Sequence, residues 1–216
     1  HVTDVQCYPR GHLSTKSAPA HPRVGSVRRV SRAALDDPLA RQARRLLLIG
    51  VTGSGKTTLA RGLEARCGIP AVDVDAMAWR PGWVKTPDEE LAAAAARVAA
   101  GEAWVMDSAW TAIRPVVLPR AELVVALDLP RWLSLARLLR RTATRALTRE
   151  PVCGDNVESV RNVFSRDSIF AWHFRSFAAK RSQMLAWEAD PDVPPVLRLR
   201  TAAEVDQWLA SRRTKG

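Results

Sequence analysis

Residues 50 to 57 read Gly-Val-Thr-Gly-Ser-Gly-Lys-Thr, directly after the apolar run Leu46-Leu47-Leu48-Ile49. The octapeptide fits G-x-x-x-x-G-K-[ST], a phosphate-cradling loop set between a buried strand and a helix. Each position answers a physical demand. Gly50, Gly53 and Gly55 give the backbone conformations closed to residues with a Cβ, so that successive N–H groups converge on an anion. Lys56 brings a positive charge to the phosphates, and the Thr57 hydroxyl is a hard oxygen suited to Mg²⁺. The helix that follows presents its N-terminal dipole to negative charge. Gly50, Thr52, Gly53, Ser54, Gly55, Lys56, Thr57 and Thr58 are therefore the expected phosphate-binding residues.

A chain of 216 residues is long enough for one domain with a substantial core and a small insertion. Its net charge of +11 comes mostly from arginine and suits polyanionic partners, either nucleotide phosphates or nucleic acid. Residues 1 to 45 hold nine Arg and Lys against three Asp, about half of that excess. Residues 1–38, rich in Ser, Pro, Gly and Arg, are expected to be disordered. They leave open a nucleic-acid-binding arm, although most charge runs are solvated faces. The folded domain is expected over residues 39–213. Three widely spaced cysteines, Cys7, Cys67 and Cys153, argue against a disulfide framework or zinc site and suit a reducing cytoplasm. No apolar run approaches the roughly 18 residues of a membrane span, so no membrane partner is expected.

After residue 45 short apolar runs alternate with helical stretches, the pattern of a parallel sheet wrapped by helices. Five strands are expected: Leu46–Gly50, Ala71–Val74, Trp104–Asp107, Leu123–Asp128 and Val196–Arg200. Leu59, Ala60, Leu63 and Cys67 share one face of the helix after the loop, with Gly68 as its C-cap. Thr86 reads as an N-cap, followed by Pro87, Glu89 and an alanine-rich helix stopped by Gly101. Pro130 starts a long helix to about Arg149. A turn at residues 153–156 then leads into a second long helix, capped by Asp155 and running to about Glu188.

Trp104-Val105-Met106-Asp107 is an apolar strand ending in a carboxylate. In a parallel sheet that places Asp107 at the ligand crevice, to share Mg²⁺ with Thr57, although such an aspartate also reads as a helix cap. Asp73 and Asp75 fall on one side of their strand by alternation. One would join the metal shell or contact the substrate, and Asp75 would accept the proton of an attacking hydroxyl; an ordinary cap is the plain alternative for either. Arg137, Arg141 and Arg145 share a helix face by i, i+4 spacing, and Arg166 lies across the turn near the next helix. Like charges so spaced repel unless an anion sits among them, which suits a lid over a triphosphate; a solvated basic face is the alternative. Trp79 and Trp83 sit where an acceptor would lie, either to stack on it or to be buried.

With the loop, Asp73-Val74-Asp75, Trp79-Arg80-Pro81-Gly82-Trp83, Trp104-Val105-Met106-Asp107 and Leu127-Asp128-Leu129-Pro130 in order, the chain resembles a bacterial family over about Asp37 to Trp208. It is that of the small P-loop kinases labelled adenylate-kinase-like or DNA topology modulation proteins. The resemblance implies a nucleotide-kinase-like P-loop NTPase of the α/β class: a three-layer sandwich with a five-stranded parallel sheet and a short helical lid over about residues 137–170. It also implies ATP and Mg²⁺. Asp73 stands where members commonly carry His or Glu, whereas Asp75, Pro81, Gly82 and Trp83 fit. Ser108-Ala109-Trp110 replaces the glycine-phenylalanine-proline-arginine run of adenylate kinase, leaving Arg114 as the nearest candidate for an acceptor-phosphate arginine. The expectation is transfer of the ATP γ-phosphate to a small acceptor such as a nucleoside or nucleotide. A hydroxylated metabolite stays open, since the paired aspartates also resemble shikimate and gluconate kinases. So does an ATP-binding regulatory or nucleic-acid-associated protein with little turnover.

Overall fold

The computed structural model describes residues 32–148, 151–152, 156–157 and 169–212. In chain order the strands are β1 (Arg32–Ala33), β2 (Arg45–Gly50), β3 (Ala71–Val72), β4 (Trp79–Arg80), β5 (Val84–Lys85), β6 (Trp104–Met106), β7 (Leu123–Leu127), β8 (Pro151–Val152), β9 (Asn156–Val157) and β10 (Val196–Leu199). The helices are α1 (Pro38–Gln42), α2 (Lys56–Cys67), α3 (Val74–Ala78), α4 (Asp88–Ala99), α5 (Arg114–Val117), α6 (Arg131–Thr148), α7 (Ile169–Ala189) and α8 (Ala202–Ser211). None of the described helices is long and apolar enough to cross a membrane.

Six strands form one parallel sheet in the order β1-β10-β7-β2-β6-β3. Period-two alternation sends successive side chains to opposite faces. Leu47, Ile49, Trp104, Met106, Val124 and Ala126 pack under α4, α5 and α7. Leu46, Leu48, Val105, Leu123, Val125 and Leu127 pack against α1, α2 and α8. The result is a three-layer α/β/α domain, the fold class read from the sequence, with a sixth strand that was not expected. Strand β1 lies within the stretch read as disordered and pairs with β10, Arg32 against Val196, while Arg32 reaches Glu188 at 3.1 Å.

Three local expectations change. The chain leaves the sheet after Val72, and Asp73 caps α3 by accepting from the Ala76 amide at 2.9 Å, so Asp73 and Asp75 are not strand neighbours. Thr86 does not cap α4; its buried hydroxyl donates to the Met77 carbonyl at 2.9 Å and Pro87 takes the cap position. Asn156–Val157 is not helix but a strand paired antiparallel with Pro151–Val152, so a small hairpin joins α6 and α7. Asp155 and Cys153 lie outside the described residues.

The last described residue anchors the sheet's far side. Arg212 is buried, donates to the carbonyls of Ala40 (2.9 Å) and Ala43, and stacks on Trp208, whose indole N–H also donates to Ala40 (2.9 Å). Hydrogen bonds to a charged donor contribute about 1.5–3 kcal/mol, and a buried acceptor left bare costs a comparable amount. Arg212→Met is expected to lower unfolding stability by about 2 kcal/mol, read as a lower urea midpoint at unchanged slope.

Candidate active site

Strand β2 lies between β6 and β7, and the chain turns to opposite sides of it, so the crevice beyond the C-terminal ends of these strands is the topological switch point. The Gly50–Thr57 loop occupies that crevice. Gly53 (φ 79°) and Gly55 (φ 97°) have left-handed backbones that a Cβ disfavours. A Cβ on Gly53 would also collide with the Ser134 carbonyl, because the loop packs directly on α6. Gly50 is restricted differently: a Cβ there would lie 2.5 Å from Ser54 Oγ. Ser54 turns its hydroxyl into the buried interior of the loop, while its carbonyl accepts from Arg137 at 3.0 Å. Arg137 is thus seated on the loop, within 3.2 Å of a Cβ placed on Gly55.

Lys56 opens α2 and folds back over the loop, donating to the carbonyls of Gly50 and Val51 at 3.1 Å each. Burial pushes its amine below the ordinary lysine range, Asp75 and Asp107 pull it back up, and Arg141 pushes it down again. Asp75, Asp107 and Arg141 therefore all stand within electrostatic reach of Lys56. Thr57 donates to Asp107 Oδ2 at 2.6 Å. The other oxygen of Asp107 accepts the Val74 amide at 3.1 Å, which ties the start of α3 to the end of β6. Asp107 is 3 % exposed. Burial raises its carboxyl; the Thr57 hydroxyl opposes that, and the charges of Asp73 and Asp75 add to it.

Asp75, on α3, is half-buried and accepts from the Trp110 indole N–H at 2.7 Å. Trp79 takes the buried alternative: at 7 % exposure it belongs to the core, edge-on to Trp83 (5.9 Å) and Trp110 (6.0 Å). It supports those two rings. Trp83 is half-buried at φ 59°, in the turn that strand β9 of the hairpin approaches. Asp73 is exposed and serves as a cap. Thr52 lies half-buried in the loop, and Thr58 is exposed in the first turn of α2. Arg166 and the side chain of Arg145 lie outside the described residues.

Two residues that no sequence reading singled out also enter this crevice, both from α7. Gln183, with its amide oxygen turned toward Arg114, accepts from both terminal nitrogens at 3.1 and 2.8 Å. Lys180 stands one turn earlier and is coupled electrostatically to Arg114, Lys56 and Asp75.

The donor set fits a phosphate chain with Mg²⁺. Thr57 and Asp107 offer hard oxygens side by side, and Lys56 bridges two carbonyls that carry no charge to match it. Among the described residues no group of three or more His, Cys, Asp or Glu could hold a metal alone.

No family model matches the chain, and no curated protein does. Among solved structures it is similar to a sugar kinase from Janibacter sp. HTCC2649, at 19% identity, 77% of this chain, 90% of that one and a TM-score of 0.44. It is similar to a shikimate kinase from Acinetobacter baumannii in complex with shikimate, at 15% identity, 77% and 89% coverage and a TM-score of 0.49. A gluconokinase from Sinorhizobium meliloti 1021 stands at 19% identity, 78% and 90% coverage and a TM-score of 0.46. At these identities each likeness concerns the course of the chain alone.

Proposed function

We propose that the protein is an ATP-dependent phosphotransferase that moves a phosphoryl group to the hydroxyl of a small acceptor. The observation that carries this reading is the convergence, at the mouth of the loop, of Lys56, the Thr57–Asp107 pair and the separately held carboxylate of Asp75. A nucleotide-hydrolysing or nucleotide-sensing loop needs the first two; a carboxylate poised beside them is what an alcohol acceptor needs.

Bound ATP with Mg²⁺ supplies the transferable phosphoryl group and a divalent charge on its oxygens. The protein's own groups divide the remaining work. Main-chain N–H groups of residues 53–57 and the dipole of α2 receive the phosphates. Lys56 exchanges its two carbonyl partners for phosphate oxygens. Thr57 and Asp107 would hold the metal, and Arg137 and Arg141 set positive charge where the leaving group gains negative charge. Asp75, fixed by Trp110, would take the acceptor proton as the acceptor oxygen bonds to the γ-phosphorus and the bond from that phosphorus to the bridging oxygen breaks, the electron pair leaving with ADP. Strand β9 of the hairpin lies beside the Pro81–Trp83 turn, on the side assigned to the acceptor. Release of ADP, measured across nucleosides, nucleotides, sugars and hydroxy acids, should rise with at least one acceptor class. Stoichiometric ATP binding without any acceptor-stimulated turnover would leave a nucleotide-binding protein instead.

A further inference from the structure

We infer that Arg114, Lys180 and Gln183 form a seat for an anionic group of the acceptor, so that the acceptor bears a carboxylate or a phosphate monoester beside the hydroxyl facing Asp75. The inference rests on the phosphotransferase reading and narrows its substrate.

Arg114 is fixed from three directions. Its Nε donates to the Ala109 carbonyl at 3.1 Å, its two terminal nitrogens share the Gln183 oxygen, and its plane lies over Trp187 at 5.4 Å. A guanidinium has five N–H groups, so two stay available after these bonds. Gln183, Met184 and Trp187 recur at helical spacing after Lys180, and Met184 (2 % exposed) and Trp187 pack into the core beneath the sheet. That places Lys180 on the inward face of α7, one turn from the Arg114 contact.

The charges there do not balance. Burial is the main force pushing the Lys180 amine down, Arg114 and Lys56 add to it, and only Asp75 opposes them; it settles at about 8. Among the described residues, neither Arg114 nor Lys180 makes an ion pair with a carboxylate. By contrast, Arg181 and Arg198 both pair with Asp128 (3.3 and 3.5 Å). Lys56 has the donor phosphates to answer it. Arg114 lies on the acceptor side, where it follows the Ser108–Trp110 loop whose indole holds Asp75, and Lys180 stands one turn from Gln183, the partner of Arg114. An acceptor anion in this place relieves the repulsion and fixes the neighbouring hydroxyl relative to Asp75.

The test uses the full chain with Mg²⁺ and a non-hydrolysable ATP analogue filling the loop. The amine of Lys180, labelled by reductive ¹³C-methylation, is titrated by NMR with and without inorganic phosphate or acetate. Its midpoint should rise when either anion binds, and Arg114→Gln should remove the response; which anion binds more tightly separates phosphate from carboxylate acceptors. In turnover, Lys180→Gln should raise the KM of an anionic acceptor about tenfold or more at unchanged KM for ATP, while Lys180→Arg restores it. Wild-type kcat/KM for that acceptor should fall above about pH 8, as the amine of Lys180 loses its proton, and stay level in Lys180→Arg. A Lys180 signal indifferent to both anions, or turnover on neutral alcohols that Lys180→Gln leaves unaltered, overturns the seat. An intact anion response without turnover on any acceptor overturns the phosphotransferase reading and leaves the seat standing.

Discussion

Lys56→Ala is expected to lower acceptor-dependent turnover by roughly 10²–10³-fold, the effect of removing one preorganised donor from a charge-developing centre. The side chain now rests on the carbonyls of Gly50 and Val51 and is not needed to hold them, because the loop's shape comes from Gly53, Gly55 and the packing on Ser134. Its loss should therefore leave the thermal midpoint almost unchanged while ATP binds more weakly. The two effects separate a phosphate ligand from a structural brace. Activity retained in Lys56→Ala, or a collapse of the fold, would contradict its role.

Asp75→Asn tests the other half of the reaction. The asparagine keeps a side-chain oxygen for the Trp110 indole N–H, so the 2.7 Å bond and the position of α3 survive, but it has no base to take a proton. Turnover should drop by roughly 10²–10⁴-fold, the usual contribution of a positioned general base. ATP affinity should hold or improve, since a negative charge near the phosphates has gone. Weakened ATP binding with undiminished turnover would place Asp75 on the nucleotide side and remove it from the acceptor.

The loop side of the candidate site was legible in the sequence because its motif is local. Eight consecutive residues set the loop, and the apolar runs at Leu46 and Trp104 put the loop and Asp107 at the same end of one sheet. Boundaries set by distant contacts were not legible. Strand β1 is two residues with no apolar run, defined by its pairing with β10. The segment after Val72 reads as strand by alternation, yet it turns into α3 because Asp73 caps it and Asp107 captures the Val74 amide. The α7 side of the crevice was least visible. Lys180 is one cation in an arginine-rich chain, and only the packing of Met184 and Trp187 tells which face of α7 turns inward. Trp79 has the composition of a ligand platform and the burial of a core residue; sequence spacing alone does not separate the two.

The most direct measurement follows the γ-phosphoryl group itself, with isotopically labelled ATP and Mg²⁺, and asks whether the label leaves on an acceptor or on water. Label is expected on the hydroxyl of an anionic acceptor, at a rate that Lys56→Ala and Asp75→Asn both suppress. Label released only as inorganic phosphate, at a rate no acceptor changes, would contradict it.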